Sequence, residues 1–186
     1  MAPADRAALA RRMFEHVLST ALAVPSRGPV YVISRSSDIL AHAEALGAMA
    51  LAEQAYGLNP ALEQASGALG GDEPVLTLSA DLPLLTLADL AAILGQTADV
   101  ACATDEPGQG TNALFLRRPG LIRYSYGPGS LAAHRAAAAA CGLSFSEIRR
   151  PGLARDIDVP DDLARIGPDW PAVGTRKTAS PAKDIP

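Results

Sequence analysis

The sequence predicts an α/β fold of three layers, with a doubly wound and mostly parallel sheet between two layers of helices. Two observations lead to this prediction. Short apolar strands alternate with helical segments of about ten residues, and the polar residues suited to chemistry follow strands. The chain has 186 residues, of which 48% are hydrophobic and 19% are charged. These values indicate one domain with a sizeable core and exclude wholesale disorder.

Apolar periodicity places the elements of the first half of the chain. Leu9, Met13 and Val17 recur at helical spacing, and the run Pro-Val-Leu-Thr-Leu-Ser at 74–79 is the clearest strand. The predicted elements, in order, are a helix over 3–23, a strand over 29–34, a helix over 38–46, a strand over 49–52, a helix over 60–69 and the strand over 74–79.

The second half of the chain begins with a pattern that is typical of the start of a helix. Thr86, followed by Asp89 three residues later, forms a capping-box pattern, and Gly95 marks the end of the helix that it begins. Next come strands over 99–103 and 112–116, a helix over 131–141, a strand over 143–148 and a helix over 160–166. We expect one domain over 1–167 and a mobile tail over 168–186.

Charge and composition limit the classes of function. The formal net charge is −4 and the isoelectric point is about 5.3, so a nucleic-acid partner is not expected. No apolar run is long enough for a membrane helix, and Asp5 and Arg6 interrupt the position of a signal peptide's apolar core, so we expect a cytoplasmic protein without a membrane partner. Cys102 and Cys141 are both expected to be small buried thiols.

Carboxylates occur in two separate places where a cation site is expected. Asp81 directly follows the strand at 74–79, at the sheet edge where ligands of α/β folds bind. Asp156 and Asp158 alternate in an extended segment and therefore share a face, where a cation would relieve their repulsion. The alternative for Asp81 is a turn aspartate bonded to local backbone amides.

Small residues and hydroxyls mark candidate ligand loops. Gly110, Thr111 and Asn112 lie where a strand begins, and the run 127–130, Gly-Pro-Gly-Ser, precedes a helix whose N-terminal amides suit an anion. An ordinary capped helix start is the alternative for the second loop. His134, one turn further on, either faces that anion or occupies a solvated helix position, which the pattern favours.

These features together indicate metal-assisted phosphoryl or nucleotidyl transfer. Acidic residues stand at two separated positions and two loops are rich in glycine, whereas no nucleophilic triad is apparent. The sequence contains no Gly-Lys-Ser/Thr phosphate loop, which disfavours a P-loop kinase.

Five segments occur in an order that resembles the 2-phospho-L-lactate guanylyltransferase family, which has a nucleotide-diphosphosugar-transferase (GT-A-like) fold. The segments are Gly-Leu-Asn at 57–59, Ser-Ala-Asp-Leu-Pro at 79–83, Gly-Thr-Asn-Ala-Leu at 110–114, Gly-Pro-Gly-Ser at 127–130 and the acidic run at 156–163. The resemblance implies transfer of GMP from GTP to 2-phospho-L-lactate, phosphoenolpyruvate or 3-phosphoglycerate. Pyrophosphate is released, and the product serves biosynthesis of the deazaflavin coenzyme F420.

The resemblance also implies roles for individual residues. Asp81 and Asp158 would be catalytic and, with Asp156, would hold Mg²⁺. The residues implied to bind substrate are Leu58, Asn59, Thr111, Asn112, Gly127 and Ser130. The partners are GTP and the phosphorylated acid, and the acidic, apolar-rich chain is compatible with a homodimer.

One feature of the family is not found in this sequence. Relatives begin with a strand and a lysine-containing loop that holds the triphosphate, and this chain aligns from just after that loop. The strand would lie between those at 29–34 and 74–79, and without it both would have unpaired backbone groups.

Two explanations stay open: a start recorded downstream of the true one, or a shorter relative. The latter would be a weakened, partner-completed or inactive form, including one that only binds the acid. A nucleotidyltransferase with another donor or acceptor is a further alternative.

Overall fold

The computed structural model describes residues 2–25 and 28–157. Asp158, the helix predicted over 160–166 and the tail predicted over 168–186 lie outside these ranges. All the strands predicted within them are present, and a short helix at 151–154 was not predicted. The elements are α1 Pro3–Leu22, β1 Tyr31–Ser34, α2 Ser37–Ala45, β2 Met49–Ala52, α3 Leu58–Leu69, β3 Val75–Leu78, α4 Leu87–Leu94, β4 Val100–Thr104, β5 Thr111–Leu116, α5 Ser130–Ala140, β6 Phe145–Ile148 and α6 Pro151–Ala154.

Strand direction differs in one respect from the mostly parallel sheet that was predicted. A four-stranded sheet has the order β3-β5-β4-β6, in which β4 and β6 are parallel but β5 is antiparallel to both β3 and β4. The cause is the connection between β4 and β5, which is the six-residue segment 105–110. A parallel pair needs a crossover of a dozen or more residues, whereas a short turn returns the chain in the opposite direction.

The sheet is divided between β1 and β3. In the described part of the chain, β1 pairs in parallel with β2 alone and β3 pairs with β5 alone. The break lies at the position for which the sequence predicted a missing strand. Helix α1 joins the two parts, because Val17 packs in the core of the four-stranded sheet while Leu18 packs against Val30 and against Val32 of β1.

Helices cover both faces of the four-stranded sheet, which confirms the three layers. On one face, Val17 of α1, Leu90 and Ile93 of α4 and Leu153 of α6 form one core with the sheet. On the other face, α3 and α5 pack over a second core that includes Leu131. Each fully buried leucine contributes about 1.5–3 kcal/mol relative to an exposed one, so these two cores fix the edge of the sheet on which the site is built.

The predicted start of α4 is confirmed. The Thr86 side chain accepts a hydrogen bond from the Asp89 backbone amide, and the Asp89 carboxylate accepts one from the Thr86 amide. The Asp89 side chain is 5% exposed, and its carboxylate forms a 2.7 Å ion pair with Arg150. This pair connects α4 to the turn that precedes α6.

The structure also bears on the expectations for the two cysteines and for a membrane-spanning helix. Cys102 is buried as expected, but the expectation for Cys141 was wrong: this residue is the C-cap of α5, at the end of the helix, and is exposed. No helix among residues 2–25 and 28–157 combines the length and the apolar character needed to cross a bilayer.

Candidate functional site

A β-bulge at the start of β5 shapes the site. Ala103 pairs with Ala113 and Thr104 pairs with Thr111, so Asn112 is an extra residue in β5. A bulge interrupts the alternation of side chains between the two faces of a sheet. As a result, Asn112 shares a face with Ala113, and its amide donates a 3.0 Å hydrogen bond to the carbonyl of Leu153 in α6. The Thr111 hydroxyl meets α5 on the other face.

A cavity of about 300 Å³ opens beside this bulge. It lies where β4 ends and β5 begins, against the N-terminus of α5. Most of the residues predicted to bind substrate line it together with one predicted metal ligand: Leu58, Thr111, Asn112, Gly127, Ser130 and Asp156. The structure thus brings together residues that are almost a hundred positions apart in the sequence, and their roles in binding stay predictions.

Asn59 stands behind the cavity wall instead of lining it. Its Nδ2 donates to the carbonyl of Tyr126 at 3.0 Å, and its Oδ1 accepts from the Tyr126 amide at 2.7 Å. One turn later in α3, the Glu63 carboxylate accepts from the Tyr124 amide at 3.0 Å. Helix α3 therefore holds the segment that leads into the glycine-rich loop, and the Asn59 amide is already engaged there.

Tyr126 forms a rigid wall of the cavity. Its Oη lies 2.6 Å from the Thr77 Oγ1 of β3, and burial raises the pKa of the Tyr126 phenol far above its ordinary value. The hydroxyl therefore stays protonated, and the ring lies between β3 and His134 of α5.

The glycine-rich loop is a tight turn, and part of its capacity to bind an anion is already used. Gly127 and Gly129 have φ angles of 129° and 73°, which disfavour residues with a side chain. The amide of Ser130 donates to the Gly127 carbonyl at 3.0 Å, and the amide of Leu131 donates to Gln109 at 3.1 Å. The helix start is therefore partly capped by carbonyls, and the buried Ser130 side chain lies at its centre.

His134 is fully buried, so the expectation of a solvated position was wrong. Its Nδ1 lies 3.1 Å from the Thr111 Oγ1, and its Nε2 lies 3.0 Å from the amide nitrogen of Ser125. Burial lowers the pKa of His134 to about 4, so the ring is neutral at pH 7. Helical spacing in the sequence could have predicted this burial. His134 is three residues after Leu131 and four before Ala138, so it shares the face of these two buried residues.

Asp81 and Asp156, two of the three predicted metal ligands, lie at the same edge of the sheet. Asp81 follows β3, and its Oδ1 atom is buried from solvent, although Asp81 does not line the cavity. The amide of Ser79 donates to the carbonyl of Asn112 at 2.9 Å, which holds this segment against the bulge. Asp156 lines the cavity, and Asp158 lies outside the described residues.

Asp105 lines the cavity and was missed by the sequence reasoning. Its Oδ1 accepts hydrogen bonds from the Gln109 amide at 2.7 Å and from the Thr104 hydroxyl at 3.2 Å. Its position directly after a strand is the same signal that identified Asp81. No cluster of three or more His, Cys, Asp or Glu side chains suited to a metal occurs within 2–25 and 28–157.

The charge of the cavity bears on its ligand. The lining residues in the described part of the chain include Asp105 and Asp156 but no lysine, arginine or histidine. Two like unit charges 4 Å apart repel by about 4 kcal/mol at an effective dielectric constant of 20. The cavity therefore suits an anion only together with a cation, and carboxylate oxygens are the ligands that Mg²⁺ prefers.

Comparison with known families gives one match over most of the chain. The family model described as "Guanylyl transferase CofC like" matches residues 1–167. A phosphoenolpyruvate guanylyltransferase of Rubrobacter xylanophilus is 40% identical over 169 residues, which cover 88% of this chain and 82% of that protein. A 2-phospho-L-lactate guanylyltransferase of Methanoregula boonei is 32% identical over 166 residues, which cover 89% of this chain and 72% of that protein.

Solved structures give the same fold. A protein of Desulfovibrio desulfuricans G20 described as a nucleotide-diphospho-sugar transferase superposes with a TM-score of 0.71 at 16% identity and covers 93% of this chain and 79% of its own. A CMP:2-keto-3-deoxy-manno-octonic acid synthetase complexed with CTP has a TM-score of 0.55 at 14% identity, with coverage of 83% and 85%. The nucleotide-diphosphosugar-transferase-like architecture expected from the sequence is confirmed.

Proposed function

Because the chain belongs to the CofC-like guanylyl transferase family, we propose that it transfers GMP from GTP to a small phosphorylated carboxylate and releases pyrophosphate. The observation that carries the proposal is the cavity at the start of α5, where the Thr111 and Ser130 side chains and a glycine turn from distant parts of the chain form one wall. These groups suit a small anion that must be oriented without adding charge.

We propose phosphoenolpyruvate as the acceptor. The relatives that align over most of this chain at the higher identities, including the protein of R. xylanophilus, carry the name phosphoenolpyruvate guanylyltransferase. 2-Phospho-L-lactate and 3-phosphoglycerate are the competing acceptors. The guanylylated product would enter biosynthesis of the coenzyme F420, and we place the reaction in the cytoplasm, where GTP and phosphorylated acids are made.

The chemistry requires positioning and charge control. A phosphate monoester has a second pKa of about 6, so the acceptor is mostly dianionic at pH 7 and needs no general base. One of its phosphate oxygens forms a bond to the α-phosphorus of GTP, and the bond from that phosphorus to the bridging α–β oxygen breaks. Pyrophosphate leaves with the bonding electron pair. The chain's contribution is to hold the two anions in line.

The carboxylates at the sheet edge fit Mg²⁺ as the cation that this chemistry needs. Asp81, whose Oδ1 is shielded from water, Asp156 at the cavity and Asp158 would hold it through oxygen ligands. Bound there, Mg²⁺ would offset the repulsion between the anions and stabilise the leaving pyrophosphate. The lack of a cationic side chain among the described lining residues supports this proposal.

Release of pyrophosphate tests the function. The purified chain is incubated with GTP, Mg²⁺ and each of the three acids in turn, and the expected result is release that requires an acid and is fastest with phosphoenolpyruvate. EDTA should abolish it. Asp156→Asn should lower the rate at least tenfold, whereas Asp72→Asn, at an exposed carboxylate outside the site, should leave it unchanged.

Other results separate the alternatives. Thermal stabilisation by phosphoenolpyruvate without any effect of GTP, together with no pyrophosphate, would indicate a protein that only binds the acid. Turnover with CTP in place of GTP would indicate a different donor. Light scattering on a size-exclusion column tests the homodimer, which we propose on composition alone.

A further inference from the structure

We infer that His134 is a positioning residue for the acceptor: as a neutral imidazole it donates to Thr111 and so directs the Thr111 hydroxyl proton into the cavity. The inference rests on the proposed function, because it names what the Thr111 hydroxyl does in that site. Three elements meet at this histidine, namely α5, the bulge of β5 and the segment that precedes the glycine-rich loop.

The direction of the hydrogen bonds follows from the partners. The Ser125 backbone nitrogen lies 3.0 Å from Nε2 and can only donate, so Nε2 must be the acceptor and carries no proton. A neutral imidazole has one N–H, which is therefore at Nδ1. That N–H points at the Thr111 Oγ1, 3.1 Å away, and a protonated ring would place a second N–H against the Ser125 amide.

This arrangement fixes the role of the Thr111 hydroxyl. Because its oxygen accepts from His134, its own proton must be directed elsewhere. Among the described residues, its other polar neighbour is the Cys102 thiol, a weak acceptor, and Thr111 also lines the cavity. A phosphate or carboxylate oxygen there is the strongest available acceptor, so Thr111 is preset as a donor to an anion.

The hydrogen bond between His134 and the Ser125 amide positions the wall of the cavity opposite Thr111. His134 holds the Ser125 amide, and its ring meets the Tyr126 ring edge-on with centroids 5.3 Å apart. Gly127, the first residue of the glycine-rich loop, follows directly. One imidazole therefore sets the distance between Thr111 and that loop, the two sides between which the acceptor would lie.

The protonation state provides a test that needs no activity. The full chain labelled with ¹⁵N-histidine is observed by long-range ¹H–¹⁵N NMR at pH 7, and the His134 signals are identified by their loss in His134→Gln. The expected result is a neutral ring protonated at Nδ1. A ring protonated at Nε2, or at both nitrogens, would overturn the inference.

Two substitutions separate the two hydrogen bonds. The glutamine amide of His134→Gln reaches the place of Nε2 and can still accept from Ser125, but it no longer donates to Thr111. The shorter amide of His134→Asn can donate to Thr111 but does not reach Ser125. Thr111→Val removes the hydroxyl itself, and His42→Gln, at a histidine paired with Glu15 away from the site, is the matched control.

Binding of phosphoenolpyruvate is measured by calorimetry in Mg²⁺, beside the KM for GTP. We expect Thr111→Val to weaken phosphoenolpyruvate binding by about tenfold or more, since a hydrogen bond to a charged group is lost. His134→Gln should weaken it in the same direction, because the Thr111 hydroxyl is no longer directed into the cavity. The KM for GTP should change less than threefold. Combining the two substitutions should add little, because His134 acts on the ligand through the hydroxyl that Thr111→Val removes, and His42→Gln should bind like the wild type.

The outcomes distinguish this inference from the proposed function. Equal affinity of His134→Gln and the wild type for phosphoenolpyruvate, or equal loss of affinity for GTP, would overturn the positioning role. A wild-type chain that binds neither GTP nor any of the three acids would contradict the proposed function and with it the ligand named here. The NMR result would still decide the direction of the bond to Thr111.

Discussion

The side-chain amide of Asn59 forms two hydrogen bonds with the backbone of Tyr126, although the residues are 67 positions apart. Nδ2 donates to the carbonyl and Oδ1 accepts from the amide, at 3.0 Å and 2.7 Å. An asparagine amide matches a peptide group in this way because it offers one donor and one acceptor side by side. The clamp attaches the start of α3 to the cavity wall.

Asn59→Ala should therefore disturb both stability and acceptor binding. It leaves two backbone groups of Tyr126 without their partner, at a cost of about 1–3 kcal/mol for a buried group. Urea unfolding measures this cost. The KM for the acceptor should rise while the KM for GTP changes little, and an unchanged acceptor KM would show that the clamp is only structural.

Asn59→Asp separates the two bonds of the clamp. Its carboxylate still accepts from the Tyr126 amide but places a second oxygen against the Tyr126 carbonyl, where Nδ2 donated before. We expect a loss of stability at least as large as that of Asn59→Ala at pH 7, measured in the same way. A smaller loss would mean that the bond to the amide dominates the clamp.

A second prediction concerns Tyr126 and Thr77, whose hydroxyls lie 2.6 Å apart. Tyr126→Phe or Thr77→Val alone leaves one hydroxyl without this partner and should each lower the free energy of unfolding by about 1–2 kcal/mol. The double variant replaces both groups by apolar ones and should cost less than the sum of the two. A strictly additive result in urea unfolding would show that the hydroxyls do not interact.

Gly152 gives a third prediction, with an internal control. A Cβ atom there would overlap the Asp89 carboxylate and lie 2.5 Å from the carbonyl of Leu84. Gly152→Ala should therefore destabilise the chain by about 1–3 kcal/mol or more. Gly67→Ala, in α3 with no atom within 4 Å of its Cβ, should instead stabilise it by roughly 0.5–1 kcal/mol.

The fourth prediction is a loss of stability in acid that depends on His134. Burial lowers the pKa of His134 from its ordinary value of 6.5 to about 4, so below pH 6.5 the unfolded chain binds a proton that the folded chain does not. The neutral ring's contribution is fully present above pH 6.5 and is lost as the pH falls towards 4, at most about 3 kcal/mol. Urea unfolding at pH 7 and pH 4.5 should show a smaller pH effect in His134→Gln than in the wild type. Equal pH effects would contradict the prediction.

The break in the sheet gives a fifth prediction. Strand β5 has a partner on both sides, whereas β1 has one partner in the described part of the chain. Backbone amides along β5 should therefore exchange with deuterium much more slowly than those of β1, as measured by mass spectrometry. Similar protection of the two strands would mean that the open side of β1 is covered in solution.

Local signals made much of the fold predictable. The capping box at Thr86 and Asp89 fixed the start of α4, because both partners lie within one turn of the chain. The direction of β5 was not predicted, because alternating apolar patterns report burial and carry no information about which strand lies beside them. The length of the turn at 105–110 was the available clue, and it is the cause of the antiparallel pairing.

Most of the residues that line the cavity were predicted from the sequence, but the hydrogen bonds that position them were not. Glycine and hydroxyl patterns indicated Thr111 and Ser130, yet Asn59 and His134 show their roles only once distant backbone groups are placed against them. The solvated position of His134 was predicted from its neighbours in the helix alone. Its actual surroundings are set by β5 and by Ser125. Interactions between groups so far apart in sequence leave no local pattern.

The extra residue in β5 makes the site sensitive to the number of residues as well as to their identity. With Asn112 deleted, β5 would pair regularly with β4, and Thr111, then directly before Ala113, would keep its face towards α5 and the imidazole. The deletion would remove the side chain on the other face, whose amide donates to the carbonyl of Leu153. A single-codon deletion at the bulge would therefore remove the hydrogen bond between β5 and α6 while leaving Thr111 beside His134.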